Sequence, residues 1–107
     1  MEKTPFHLII EACLPKGVRI YDYDFEPTEE IVEVIYLKRG ERYAYVLLCN
    51  SSKGLEVEMS SDPRRVTNLN DPDCLDRIRT RLGRMRMWAV QDLQKLEKKM
   101  VEERARK

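Results

Sequence analysis

Residues 31–49 read IVEVIYLKRGERYAYVLLC. Ile31 to Leu37 and Arg42 to Cys49 are rich in β-branched and aromatic side chains, which fit a pleated, half-buried surface. Between them, Lys38-Arg39-Gly40-Glu41 is a hairpin turn in which Gly40 can supply the positive φ such turns need. The second run is the most apolar strand of the chain and is expected at the centre of its sheet. So short a turn forces antiparallel neighbours, and the fold class follows from that pairing.

Outward from this hairpin, Val18 to Phe25 reads as a preceding strand and Glu26-Pro27-Thr28-Glu29 as a polar turn. On the other side, Asn50 to Gly54 is a turn, and LEVEM at Leu55 to Met59 alternates as a fourth strand. Asp62-Pro63 predicts a short helical turn through Leu69, with Val66 and Leu69 inward. Before the strands, Thr4-Pro5 offers a capping hydroxyl and a proline at the first helical position. Phe6, Ile9, Ile10, Cys13 and Leu14 then share one helical face. Phe6, Leu8, Ile10, Ala12 and Leu14 also alternate as a strand would; the capped helix is the preferred reading, ended by Pro15 and Gly17.

After Asp71-Pro72 the texture becomes helical. Asp71 is the expected cap, and Asp73 and Asp76 place negative charge near the positive helix end. Leu75, Ile78, Leu82, Met85, Ala89, Leu93, Leu96 and Met100 fall within about 80° of arc at 100° per residue. The period is 3.6 rather than a strict heptad, which disfavours a two-stranded coiled coil. Gly83 is the one weak point. A single helix over 72–106 would be about 52 Å long, against a diameter near 34 Å for a domain of this length. The helix is therefore expected to bend, to fray after Met100, or to bury Leu93, Leu96 and Met100 against a second copy of the chain.

The whole chain has 107 residues, 42% of them apolar and 36% charged, with a net charge of +1. That suits one domain with a modest core and excludes wholesale disorder. No apolar run approaches the ~18 residues of a membrane span, and the N-terminus lacks signal-peptide features. Cys13, Cys49 and Cys74 are odd in number and widely spaced, so neither a disulfide framework nor a zinc site is expected, even counting His7 as a fourth ligand. A cytoplasmic domain with reduced thiols is the expectation.

Charge is unevenly placed. Residues 1–62 carry −5 and residues 63–107 carry +6. On the helical wheel Arg77, Arg81, Arg84, Trp88, Lys95 and Lys99 form a basic face with one aromatic, and Arg84 and Trp88 are spaced for a guanidinium to lie over the indole. Arg79 and Arg86 flank the apolar stripe instead. Arginines at this spacing can track phosphates, and an exposed Trp can stack a base. Asp22 and Asp24, two apart on a strand, share a face and could hold Mg²⁺ or Mn²⁺ for phosphoryl chemistry if a third group joined them. With His7 as the sole histidine and no glycine-rich loop, neither a nucleophile–base pair nor a phosphate cradle is legible.

The sequence thus predicts one α+β domain over 1–107. A short N-terminal helix and a four-stranded antiparallel meander occupy 1–70, and a long basic amphipathic helix over 71–107 packs on one face. The expected function is non-enzymatic binding or regulation through protein–protein contacts as a homodimer, without a cofactor, metal or membrane. The alternative is RNA or single-stranded DNA binding by the Arg/Lys/Trp face, and the third reading a metal-dependent hydrolase using Asp22 and Asp24.

Overall fold

The hairpin forms as read. β2 (Ile31–Arg39) and β3 (Arg42–Ser51) pair in antiparallel register, Tyr36 opposite Tyr45 and Val34 opposite Leu47. They turn on Gly40 at φ 56°. The computed structural model describes residues 3–25 and 30–105, so the expected turn at Glu26–Glu29 lies outside the described residues. β1 (Arg19–Phe25) pairs with β2, and β4 (Gly54–Met59) with β3. Gly54 has φ 107°, a backbone conformation that strains any residue with a side chain.

The meander has five strands rather than four. Residues expected to form a helical turn instead make β5 (Asp62–Asn68), paired with β4 through Thr67–Val57 and Val66–Glu58. Asp62-Pro63 looks like a helix start, but proline is equally at home on an edge strand, where its missing N–H faces outward. Pairing with β4 decides between the two. Thr67 is then buried and Val66 is 44% exposed, the reverse of the expected inward Val66. The strand order is β1-β2-β3-β4-β5, with β3 central as expected.

α1 (Pro5–Cys13) is a helix, with Thr4 Oγ1 accepting the His7 N–H at 3.1 Å. The C-terminal region is not one helix. α2 (Cys74–Gly83) ends when the Arg84 N–H turns back to the Thr80 and Arg81 carbonyls. Its cap position is Asp73 rather than Asp71. The chain then runs without regular structure to Trp88, bridges there to Tyr43, and re-enters a helix as α3 (Val90–Ala105). The molecule is 35 Å along its longest axis, so a continuous helix would have projected far beyond it. Breaking at Gly83 also avoids the roughly 1 kcal/mol that glycine costs inside a helix.

The break moves the chain from one face of the sheet to the other. Ile35, Leu37, Ala44, Val46, Leu48, Val57 and Met59 point to one face, where α1 and α2 bring Phe6, Ile10, Ile78 and Leu82. Val34, Tyr45, Leu47 and Cys49 point to the opposite face, where α3 brings Leu93 and Met100. The helices therefore cover both faces, not one. β3 is buried without interruption from Ala44 to Cys49, as a strand sandwiched between two layers must be. The apolar stripe divides accordingly, Ile78, Leu82 and Met85 to the first core and Leu93, Leu96 and Met100 to the second.

Leu93 is 3% and Met100 7% exposed within the single chain. The stripe expected to meet a second copy is thus covered by the chain's own sheet. Leu93→Ala should lower the unfolding free energy by about 2–5 kcal/mol, the usual range for a buried leucine. The urea midpoint of wild type and variant should not depend on protein concentration. A midpoint rising with concentration would place the stripe between chains.

Candidate functional site

The expected basic face is divided by the same break. Arg77, Arg81 and Arg84 stay together on α2 and its C-terminal cap. Lys95 and Lys99 lie exposed on α3, across the sheet from them. Trp88 is not an exposed stacking residue: it is half-buried against the second core, and its indole N–H is buried without an acceptor among the described residues. The guanidinium over its ring is that of Arg86, 4.0 Å from the centroid, and not the expected Arg84. Because the chain between Arg84 and Trp88 is not helical, residues four apart there do not meet as they would on a helix.

What the fold gathers instead is a cleft of about 420 Å³ between β5 and α2, lined by Arg65, Arg77, Arg81, Arg84 and Arg86, by Asp62 and Asp76, and by the hydroxyls of Ser61, Thr67 and Thr80. Arg65 comes from the strand the sequence hid, and Arg86 from the crossing segment. The sequence offered Arg65 only as part of Pro63-Arg64-Arg65, with nothing to aim it at α2.

The five guanidinium groups have different roles. Arg81 is half-buried and forms the floor. It donates to the Arg65 carbonyl at 2.8 Å and to Thr67 Oγ1 at 3.1 Å, with longer bonds at 3.5 Å to the carbonyls of Val57 and Asp62. Burial and the neighbouring Arg65 charge lower its pKa from the usual guanidinium value. Arg77 is held by Asp73 at 2.9 Å and Asp71 at 3.8 Å. Asp76 faces Arg79 at 3.7 Å. Arg65, Arg84 and Arg86 have no ion pair among the described residues. Their charges face solvent around the rim.

Beyond β5 the charge reverses. Glu30, Glu56, Glu58 and Glu103 line a groove together with Cys49, Asn50 and Ser51. The charge difference between the two halves of the sequence thus becomes a difference between two surfaces that meet at Val66, which lines both.

Asp22 and Asp24 do share a face, the one carrying α3, beside Tyr21, Tyr36 and Glu97. Tyr36 donates to Glu97 Oε1 at 2.6 Å; burial, then that bond, raise its pKa far above the ordinary phenol value. No three His, Cys, Asp or Glu side chains converge as metal ligands among the described residues. Glu26, two residues beyond Asp24 in the sequence, lies outside them. His7 is buried, its ring 4.8 Å from that of Tyr23 and its Nε2 3.4 Å from Glu11. Cys13 and Cys49 are in opposite cores and Cys74 begins α2, and none of the three forms a disulfide. Among the described residues no helix is long and apolar enough to cross a membrane.

Two arginines on one helix should respond in opposite ways. Arg81→Ala removes a donor to buried carbonyls and should destabilise the fold by about 1–3 kcal/mol. Arg81→Lys should not rescue it, because one ammonium cannot replace a planar fork of donors. Arg84→Ala should stay within about 0.5 kcal/mol of wild type. Urea denaturation checks all three; equal losses at 81 and 84 would contradict the assignment of floor and rim.

The chain matches no protein-family model, no curated protein and no solved structure.

Proposed function

We propose that this is a small non-enzymatic binding protein whose binding surface is the arginine cleft, and that its partner is an anionic macromolecule. One observation carries the reading: Arg65, Arg84 and Arg86 surround a concave site with no ion pair among the described residues, over a fourth guanidinium fixed in place by the backbone. Mutual repulsion of unpaired cations disfavours the free protein and is relieved when an anion enters. Arginine also matches the planar, bidentate geometry of carboxylate and phosphate groups.

Binding suits the cleft better than catalysis. Its two carboxylates are engaged, Asp62 by the Arg64 N–H at 3.3 Å and Asp76 by Arg79. The sole histidine is on α1. Homodimerisation loses its main support, since Leu93, Leu96 and Met100 pack on the chain's own sheet. A cytoplasmic setting fits three cysteines that form no disulfide.

Heparin-agarose chromatography tests the reading. Wild type should be retained, and the triple variant Arg65→Ala, Arg84→Ala, Arg86→Ala should elute at distinctly lower salt while remaining folded by circular dichroism. Lys95→Ala plus Lys99→Ala, which removes two charges from α3, should elute close to wild type. Equal shifts for both variants would reduce the effect to bulk charge and overturn the cleft as the binding surface.

A further inference from the structure

The arginine cleft does not end at Arg86. That guanidinium lies both in the cleft wall and 4.0 Å over the Trp88 ring. Trp88 pairs through its backbone with Tyr43, which sets their side chains next to each other on the α3 face. The Tyr43 ring is 5.3 Å from Tyr21, and Tyr21 is 6.2 Å from Tyr36. Lys38 stands 5.2 Å over Tyr43. A row of aromatic rings thus continues from the cations through Tyr21, which is 42% exposed, to the half-buried Tyr36. Asp22, Asp24 and Glu97 border that end and limit how far a polyanion can run.

We infer that the anionic partner is single-stranded nucleic acid, its phosphates in the arginine cleft and an unstacked base on the exposed ring of Tyr21; this rests on the cleft being the binding surface. Cations alone would serve an acidic peptide equally well. Rings next to cations are the combination that single strands require, because each nucleotide brings one charge and one π-face. A duplex keeps its bases stacked inside and has nothing to offer Tyr21. Carboxylates at the far end of the row also disfavour an acidic peptide lying along it, while a base placed there carries no charge.

Fluorescence anisotropy with labelled oligo(dT) and oligo(U) twelve-mers, at several salt concentrations, tests this. Arg84→Ala should weaken binding and flatten the log-affinity against log-salt slope by about 0.7, the value per phosphate on single strands. Tyr21→Ala should weaken binding roughly 5- to 150-fold, the range for losing one stacked base, with the slope unchanged. Tyr21→Phe should restore it, since the ring and not the hydroxyl does the stacking. Circular dichroism should show both Tyr21 variants folded at the assay temperature, with Tyr21→Phe melting close to wild type because it keeps the ring contacts. Equal affinity of Tyr21→Ala and wild type, equally tight binding of a duplex of the same length, or equal competition by poly-glutamate would each overturn the inference. If heparin retention still depends on Arg65, Arg84 and Arg86 in such a case, the cleft stands and only the ligand class falls. The oligo(dT) and oligo(U) arms show whether the strand is DNA or RNA.

Discussion

Tyr43 and Trp88 exchange two backbone hydrogen bonds, each 2.7 Å long. β3 runs from Arg42, but β4 accompanies it only from Val46 onward. Beside Tyr45 the chain has just turned away, and Ser60 completes the ladder there with its backbone N–H and its hydroxyl. The next position would leave Tyr43 with an unpaired N–H and carbonyl beside a buried core, at about 1–3 kcal/mol for each unsatisfied group. The segment after α2 fills that position. Having done so it is past the end of β4, and α3 continues on the opposite face. The two-layered burial of β3, the separate cores and the location of the arginines all depend on this one crossing.

The proposed binding surface follows from the same geometry. Were 74–105 a single helix, Arg84 would stack on Trp88 and the cations would form one straight solvated row. The crossing instead turns Arg86 back over Trp88 and closes the end of the α2–β5 groove with it. β5 supplies Arg65 to the facing wall. A charge pattern that on a straight helix would be spread over solvent becomes concave, and concave surfaces focus potential far better than convex ones. The acidic groove on the other side of β5 adds direction, since it repels what the cleft attracts.

Much of this could be read from the residues. The β2–β3 hairpin, its Gly40 turn, the central position of β3 and the Thr4-capped helix are all local or nearly local, and each formed. β5 was not legible because Asp-Pro opens a helix as readily as an edge strand, and the pairing that decides is non-local. The break after Gly83 was hidden by periodicity itself. A 3.6 stripe shows that Ile78, Leu82, Leu93 and Met100 are buried, but not against which layer. The unbroken run of Ala44 to Cys49 carried the missing information: a strand buried on both faces needs a helix on each. Of the site, Arg77, Arg81 and Arg84 were legible as neighbours on one helix, while Arg65, Arg86, Tyr21 and Tyr43 come together only through tertiary pairing. Lys95 and Lys99 were assigned to the wrong surface by the same assumption that joined α2 to α3.

The central claim is that the chain leaves the helix after Gly83 and crosses the sheet edge before α3, bridged to β3 at Trp88 and Tyr43. Backbone chemical shifts of the free protein in solution test it most directly, read together with cross-strand nuclear Overhauser effects. The account predicts helical shifts over 74–83 and 90–105, non-helical shifts between them, and amide contacts joining Tyr43 to Trp88. Uninterrupted helical shifts from 74 to 105, with no Tyr43–Trp88 contact, would contradict it.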